Sequence, residues 1–289
     1  MAEELDPKQL AEDIAESKKA KYMEPGIIRQ VLTREMRNEK NRKLLVKAVK
    51  SKLYQVSGMF RNDNTDYGAM GERFADITPE TPEEEVKALC SEILYTHAST
   101  RERLPMLDEF YKAIFAEIPR PKTVADLACG LNPLTIPWQG LEGDFRYDAY
   151  DLFTDMSVLT DAFFKARGIA GTTGQANLLY GLPGGPWDLV YLFKVIPCLE
   201  QIDKYGGRHI LEQLAFAAKH CVVTFPGASL SGKEKGMPRN YEVHFMNIVD
   251  PDAWEIQKIR YPSELVFILH SKYAEDAEKE GDEALPVIE

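Results

Sequence analysis

The sequence lacks any long apolar run, since no stretch approaches the roughly 18 apolar residues that a membrane-spanning helix needs. Its first residues, Met1-Ala2-Glu3-Glu4, are acidic, so the basic-then-apolar order of a secretory signal peptide is absent as well. These two absences predict a cytoplasmic protein that has no membrane partner.

Cysteine is scarce, with four residues in a chain of 289. The four, Cys90, Cys129, Cys198 and Cys221, show no Cys-x-x-Cys spacing, which excludes the usual zinc-site and disulfide patterns. We therefore predict no metal site and expect these thiols to behave as small buried hydrophobic groups.

Positive charge is also in deficit, because 35 Lys and Arg stand against 46 Asp and Glu and give a net charge of −11. Taken for the whole chain, this balance argues against a nucleic-acid-binding protein. The distribution reverses that conclusion, since residues 17–61 hold thirteen Lys and Arg against three Glu, a net charge of +10. The acidic residues are concentrated in residues 1–16, 62–92 and 274–289. The basic stretch predicts a surface that binds phosphate groups.

Apolar residues at helical spacing lie within the basic stretch, among them Ile27, Val31, Leu45 and Val49. This spacing predicts two or three short amphipathic helices. From about residue 120 the pattern changes to short apolar runs that alternate with helical stretches. The predicted strands are Thr123–Cys129, Phe145–Asp151, Ile169–Ala176, Trp187–Lys194, Cys221–Phe225, Trp254–Arg260 and Leu265–His270. Five parallel-type strands and a terminal hairpin predict a Rossmann-like class I methyltransferase domain, an α/β fold with a seven-stranded, mostly parallel sheet.

The first predicted strand is followed by a single glycine, Gly130, where a nicotinamide dinucleotide would need Gly-x-Gly-x-x-Gly to hold its pyrophosphate. S-Adenosylmethionine has no phosphate, so its site can dispense with the other two glycines. Asp151 ends the second strand, where an acidic side chain can accept hydrogen bonds from both ribose hydroxyls. The pair favours an adenosine cofactor.

Several sequence blocks together resemble the aminoglycoside-resistance 16S rRNA (guanine(1405)-N7)-methyltransferases of the Arm/Rmt type. The blocks are 17–19, 31–33, His97-Ala98-Ser99-Thr100-Arg101-Glu102-Arg103-Leu104, 126–134, 192–197, 225–226, 236–237 and 240–241. They occur in family order between about residues 17 and 270. The resemblance implies methylation of the decoding-site guanosine in helix 44 of the 30S subunit, with S-adenosylmethionine as the methyl donor.

The resemblance also implies roles for individual residues. Arg103 would hold the methionine carboxylate, Gly130 the methionine part and Asp151 the ribose. The cofactor-binding set it implies is His97, Arg103, Gly130, Asp151, Ala176, Asn177, Leu178 and Phe193. Asn177 stands where the family has an acidic adenine-recognising residue, and Ala176 where many members have Gln. Because an Asn carbonyl accepts without the strength of a charge, we expect weakened cofactor binding.

Lys194 and Glu200 match positions that the family needs for activity. The predicted RNA contacts are Lys18, Lys19, Lys21, Arg34, Arg37, Lys40, Arg42, Lys43, Lys50, Lys233, Lys235 and Arg239. The domains expected are a basic helical rRNA-docking domain (1–60), an acidic linker with a connecting helix (61–92), the methyltransferase domain (93–273) and an acidic tail (274–289).

Guanine N7 attacks with a lone pair that carries no proton, so the reaction requires no general base and should depend on positioning. Two alternatives stay open at this stage. One is a methyltransferase that acts on another RNA site or on a small molecule, and the other is a ribosome-binding homologue without catalysis. We expect a monomer and no DNA partner.

Overall fold

The computed structural model describes residues 6–18, 20–55, 65–227, 237–261 and 264–273. Its α-helices are α1 (Pro7–Ala15), α2 (Pro25–Glu35), α3 (Arg42–Leu53), α4 (Tyr67–Glu72), α5 (Glu83–Leu94), α6 (Ala98–Arg103), α7 (Leu107–Glu117), α8 (Ile136–Gln139), α9 (Thr154–Arg167), α10 (Ile196–Ile202), α11 (Gly206–Ala217) and α12 (Met237–Ile248). Its strands are β1 (Thr123–Leu127), β2 (Arg146–Asp151), β3 (Thr173–Gln175), β4 (Trp187–Phe193), β5 (Ala218–Pro226), β6 (Trp254–Arg260) and β7 (Glu264–Ser271).

The seven strands form one sheet in the order β3-β2-β1-β4-β5-β7-β6. Strands β1 to β5 pair in parallel, whereas β7 runs antiparallel to both β5 and β6. The strand order reverses beside β1, and a ligand site is expected beyond the carboxyl ends of the strands at such a point. The predicted class I methyltransferase fold is thus confirmed.

Strands β3 and β5 differ most in length from the sequence prediction, and the bounds of the other strands agree with it to within two residues. Strand β3 begins at Thr173 rather than Ile169, because Gly171 adopts φ +156° and a Cβ there would lie 1.8 Å from the Tyr147 carbonyl oxygen. This close approach leaves only an isolated bridge between Ala170 and Arg146 before the strand. Strand β5 begins at Ala218 rather than Cys221, since Ala218 already pairs with Trp187 although the next two residues are polar.

Helices α2 and α3 confirm the prediction of short amphipathic helices in the basic stretch. The Glu24 carboxylate begins α2 by accepting from the backbone N–H groups of Gly26 and Ile27, and the Asn41 side chain accepts from Leu44 N–H at the start of α3. The apolar side chains of both helices are buried. They are Ile27, Ile28, Val31 and Leu32 on α2, and Leu45, Val49 and Leu53 on α3.

The described part of the predicted linker is packed against the sheet domain rather than extended. Helix α4 contacts α9, and the ring centroid of Phe74 lies 5.2 Å from that of Phe163. Arg167 at the end of α9 donates to the carbonyl oxygens of Thr78, Pro79 and Thr81. Helix α5 begins at Glu83, within the range 61–92 predicted for the linker and connecting helix, and ends at Leu94.

One hydrophobic cluster joins the N-terminal helices to the sheet, because it contains Ile14, Val31 and Val49 together with Val124 and Val222. Three of the four cysteines are buried and Cys198 is partly buried, and all four are free thiols. Within the described residues, no helix is both long and apolar enough to cross a membrane.

Candidate functional site

A pocket opens at the carboxyl edge of the sheet, beyond the ends of β1, β2 and β4. Three residues at this edge have positive φ angles: Ala128 (+58°), Gly130 (+52°) and Lys194 (+58°). Two of them are not glycine, and strained backbone of this kind clusters at functional sites because the surrounding structure must hold it. The strained backbone thus lies at the same edge of the sheet where the strand order predicts a ligand site.

Nine of the ten residues predicted for cofactor binding or catalysis line this pocket. They are His97, Arg103, Gly130, Asp151, Ala176, Asn177, Leu178, Phe193 and Lys194. Six elements or connecting turns, from α6 to the turn after β4, contribute them. The sequence blocks that are far apart in the chain therefore meet in one cavity.

Gly130 and Asp151 are directly bonded. The Gly130 N–H donates to Asp151 Oδ2 at 2.8 Å, and the Phe153 N–H donates to Oδ1 at 3.1 Å. The His97 ring covers Gly130, since a Cβ at position 130 would lie 3.2 Å from His97 Cε1. Together with the positive φ angle, this contact explains why glycine is needed here.

Arg103 is fully buried and has two polar partners. Its Nε and Nη2 donate to the two Glu264 carboxylate oxygens at 2.9 and 3.1 Å, and Nη1 donates to Asn132 Oδ1 at 2.7 Å. The guanidinium also lies 4.4 Å from the Phe193 ring centroid. Burial works against its charge, but Glu264 overrides that effect and leaves the Arg103 pKa above its usual value. Nη1 and Nη2 each keep a further N–H for a ligand.

Lys194, at the end of β4, is also almost fully buried. Its ammonium group lies 2.7 Å from Glu102 Oε2 and 3.3 Å from Glu264 Oε1. Glu264 therefore neutralises two buried cations, Arg103 and Lys194, and Glu102 supplies the second negative charge. This pairing is what makes the burial of two cations tolerable.

The wall of the pocket next to β3 combines a loop with helix α2. Ala176, Asn177 and Leu178 follow β3, and Ile27 on α2 also lines the cavity. The Asn177 side chain accepts a hydrogen bond from Leu179 N–H at 3.1 Å and donates to Gln30 Oε1 at 3.4 Å. A segment that the sequence assigned to RNA docking thus forms part of the pocket.

Burial changes the protonation of several groups in the pocket. It lowers the pKa of His97 to about 3, helped by the nearby charges of Lys194, Arg103 and Arg101, so the imidazole is neutral at physiological pH. Burial raises the pKa of Asp151, against the effect of its backbone hydrogen bonds, and raises that of the Cys129 thiol. A thiol kept protonated in this way is a poor nucleophile, which agrees with a structural role for Cys129.

Behind the pocket lies a buried polar network centred on Asp126. Asp126 Oδ2 accepts from Asn132 Nδ2 at 2.8 Å and from the Tyr147 hydroxyl at 2.9 Å, while Oδ1 has no hydrogen-bond partner. Because Asn132 also accepts from Arg103, the network supports the guanidinium from behind. Burial raises the pKa of Asp126 from 3.8 to about 7.

This raised pKa predicts a pH-dependent effect of Asp126→Asn. Between about pH 4 and pH 7 the native protein holds a proton that the unfolded chain releases, so this group's contribution to stability falls as pH rises through that range. Asparagine keeps an acceptor for Asn132 and Tyr147 but does not titrate. We expect the free energy of unfolding of the variant, relative to wild type, to rise by about 2–3 kcal/mol between pH 5 and pH 8.

Urea unfolding at the two pH values measures this difference. The exposed substitution Asp144→Asn serves as the matched control. If the difference in the free energy of unfolding between Asp126→Asn and wild type stays constant with pH, the raised pKa of Asp126 is contradicted.

Glu200 is the one predicted catalytic residue that does not line the pocket. Its carboxylate oxygens lie 2.7 and 2.8 Å from His244 Nε2 on α12. The side chain therefore connects α10 to α12. Its carboxylate thus contacts α12 and no group in the cavity.

The predicted RNA contacts that the structure describes lie on exposed surface. They are Lys18, Lys21, Arg34, Arg37, Lys40, Arg42, Lys43 and Lys50 in the N-terminal segment, and Arg239 on α12. Lys19, Lys233 and Lys235 lie outside the described residues. Some of these exposed cations bind other parts of the chain. Arg34 donates to the Gln201 and Ile202 carbonyl oxygens, Lys40 donates to Met36 O, and Arg42 pairs with Asp13.

Sequence reasoning missed Glu264, Glu102, Ile27 and the network of Asp126. Glu264 is 161 residues from Arg103 in the chain, so no local pattern could join them. Glu102 and Asp126 do lie within the blocks that resemble the family. The signal that could have identified them is a charged residue in a predicted helix, for Glu102, or in an apolar strand, for Asp126. Among the described residues, no group of three or more His, Cys, Asp or Glu could hold a metal ion.

Comparisons with known proteins agree with this geometry. The model of the family "Ribosomal RNA methyltransferase (FmrO)" matches residues 16–268. The 16S rRNA (guanine(1405)-N(7))-methyltransferase of Micromonospora rosea is 34% identical over 226 residues, which cover 78% of this chain and 82% of that protein. The enzyme of the same name from Serratia marcescens is 31% identical and covers 89% of this chain and 95% of its own length.

Solved structures give the same result. The fold is similar to that of an rRNA methylase from Escherichia coli, with a TM-score of 0.75, 26% identity and coverage of 92% of this chain and all of that chain. It is also similar to the 16S rRNA methyltransferase RmtF in complex with S-adenosyl-L-homocysteine, with a TM-score of 0.78, 25% identity and coverage of 93% and 100%. The family model spans most of the chain, and the strand order and pocket agree with it, so the chain belongs to the ribosomal RNA methyltransferase (FmrO) family.

Proposed function

We propose that this protein transfers a methyl group from S-adenosylmethionine to N7 of guanosine 1405 in helix 44 of the 16S rRNA, within the 30S subunit. The observation that carries the proposal is a pocket at the carboxyl edge of a methyltransferase sheet, whose wall includes part of the basic N-terminal segment. The modification would protect the ribosome from kanamycin- and gentamicin-type aminoglycosides, as the family resemblance implies.

The residues present fit S-adenosylmethionine. Asp151 has lone pairs left on both oxygens for the ribose hydroxyls, and Arg103 has N–H groups left for the methionine carboxylate. The buried His97 Nδ1 has no hydrogen-bond partner within the described residues, so a polar ligand would satisfy it. The only chemistry the cofactor must supply is an electrophilic methyl group on its sulfonium.

The protein's part in the reaction is positioning. As the C–N7 bond forms the C–S bond breaks, its electron pair stays on sulfur, and the guanine becomes a cation without any proton transfer. A neutral His97 and a protonated Cys129 are compatible with a reaction that needs no base. Lys194 lines the pocket at the end of β4, between Glu102 and Glu264, and would orient the guanine through its acceptor atoms.

The N-terminal segment would bind the RNA backbone. Its exposed Lys and Arg side chains would neutralise phosphates of the RNA backbone. The free energy of these contacts would offset the cost of unstacking the target base, which is about a few kcal/mol. Residues 1–60 would dock on the 30S subunit, residues 61–92 would connect the two domains, and residues 93–273 would catalyse methyl transfer. A monomer in the cytoplasm remains our expectation for the protein as a whole.

The decisive experiment incubates the protein with methyl-labelled S-adenosylmethionine and purified 30S subunits, and maps the label by mass spectrometry. Label on N7 of guanosine 1405 is expected. The variant Asp151→Ala should bind no cofactor and transfer no label, whereas the exposed substitution Asp144→Ala serves as its control. Label on another nucleotide would favour a different RNA site, and no label would favour a ribosome-binding homologue without catalysis.

Cellular resistance provides an independent readout. A sensitive bacterium that produces the protein should tolerate kanamycin and gentamicin, and its Asp151→Ala counterpart should not. An unchanged inhibitory concentration in cells that contain the folded wild-type protein would contradict the proposed target site.

A further inference from the structure

Helix α2 is attached firmly to the pocket. The Glu24 N–H donates to Leu152 O and the Thr154 N–H donates to Tyr22 O, both at 2.8 Å, which joins the chain before α2 to the turn after β2. Leu152 and Phe153 in that turn line the pocket, and so does Ile27 on α2. The Tyr180 hydroxyl adds a bond to Gly26 O at 3.2 Å. The start of α2 is therefore held in place by pocket residues.

Gln30 lies one turn after Ile27 and contacts Asn177. The Leu179 N–H can only donate, so the atom of Asn177 that it meets at 3.1 Å must be the carbonyl Oδ1. The Asn177 amide nitrogen then faces Gln30, whose Oε1 accepts at 3.4 Å. Both the oxygen and the nitrogen of the Asn177 amide are thus hydrogen-bonded. Asn177 lines the cavity, whereas Gln30 lies behind it.

We propose that Gln30 is a cofactor-positioning residue, which holds the Asn177 amide so that an uncharged Gln–Asn pair recognises the adenine of the cofactor. The inference rests on the proposed function, because it takes Asn177 to be the residue beside the adenine. It assigns a role in cofactor recognition to a side chain of the N-terminal segment.

The physical basis is the cost of burying polar groups. Asn177 is only 7% exposed, and an amide buried there needs partners for both its oxygen and its nitrogen. Leu179 supplies one partner and Gln30 the other. With its carbonyl oxygen held, Asn177 has a second lone pair that can accept from the adenine amino group.

The pair obeys a simple complementarity rule. If Asn177 were a carboxylate, the Gln30 amide could turn over and donate with Nε2. If Gln30 were a carboxylate, it could still accept from Asn177 Nδ2. With carboxylates at both positions no proton lies between them, and two like charges meet in a nearly buried site.

The test is a four-member cycle of S-adenosylhomocysteine binding, measured by calorimetry. Its members are wild type, Gln30→Glu, Asn177→Asp and the double variant. Each single variant should bind within about threefold of wild type or, for Asn177→Asp, more tightly. The double variant should bind at least about tenfold more weakly than the product of the single effects predicts, a coupling of about 1.4 kcal/mol.

Two controls separate positioning from folding. Gln55→Glu adds the same charge to an exposed position of the same segment and should leave binding unchanged. The thermal midpoint of each cofactor-free variant reports its fold. Should the double variant fail to fold, a second comparison replaces it, in which Gln30→Ala is introduced into wild type and into the Asn177→Ala variant. Gln30→Ala should weaken cofactor binding in wild type and have no further effect in the Asn177→Ala variant.

Adenine specificity is a readout that a purely structural role would not change. S-Inosylhomocysteine has a ring carbonyl in place of the adenine amino group. Gln30→Ala should narrow the preference for S-adenosylhomocysteine over this analogue, because a freed Asn177 amide can present its nitrogen instead. Additive effects in the cycle, or an unchanged preference, would overturn the inference. Absence of S-adenosylhomocysteine binding by wild type would contradict the proposed function itself.

Discussion

Arg103→Ala is expected to abolish cofactor binding and to destabilise the protein at the same time. The substitution removes the bidentate partner of the completely buried Glu264 carboxylate. It also removes the Arg103 N–H that donates to Asn132 Oδ1. Deleting one member of a buried ion pair costs about 3–5 kcal/mol. After the substitution Glu264 keeps, among the described residues, only Lys194 as a counterion, at 3.3 Å, and shares it with Glu102. Urea unfolding should show a loss of this size, and calorimetry at a temperature where the variant is folded should detect no S-adenosylmethionine binding.

A matched control lies two residues earlier on the same helix. Arg101 is exposed and its guanidinium lies 5.6 Å from the Tyr95 ring centroid, so Arg101→Ala should change the free energy of unfolding by less than about 0.5 kcal/mol. Arg103→Lys should be intermediate, since one ammonium cannot match both Glu264 oxygens. An Arg103→Ala protein with normal stability would refute the buried ion pair, and one with normal cofactor affinity would refute the carboxylate site.

Reversing the charge of four exposed cations should produce the second large effect, on binding of the 30S subunit. The residues Arg37, Lys43, Lys47 and Lys50 are exposed, and the described part of the chain offers their side chains no ion-pair or hydrogen-bond partner. Their joint replacement by Glu should lower affinity by about 10²- to 10⁴-fold near physiological salt. It should also reduce the slope of log affinity against log salt by about three, because about four phosphate contacts are lost.

Cofactor affinity should stay unchanged in this variant, since none of the four residues lines the pocket. Arg34, Lys40 and Arg42 are left intact because they bind other parts of the chain. The control reverses Lys112, Lys122, Lys165 and Lys272, four exposed cations of the sheet domain. Equal loss of 30S binding in both variants would mean that only total charge matters, and no loss in the first would exclude the N-terminal segment as the docking surface.

Much of the fold could be predicted because it depends on local periodicity. Alternating strands and helices gave the parallel sheet and its hairpin, and Gly130 and Asp151 marked the ends of β1 and β2. The shortening of β3 was not predicted, because it follows from contact of Gly171 with a neighbouring strand. The role of Glu200 was carried over from a resemblance, and only the structure places its carboxylate on His244 instead of in the pocket.

The sequence by itself determined the fold class, the basic character of residues 17–61 and nine of the residues that line the pocket. Each of these follows from the spacing of residues near one another in the chain, or from blocks that a family shares. Only the tertiary structure decided that Glu264 neutralises both Arg103 and Lys194, and that α2 lines the pocket through Ile27 and contacts Asn177 through Gln30. Those contacts join positions 70 or more residues apart in the chain. Their energies depend on burial, which no linear pattern of residues contains.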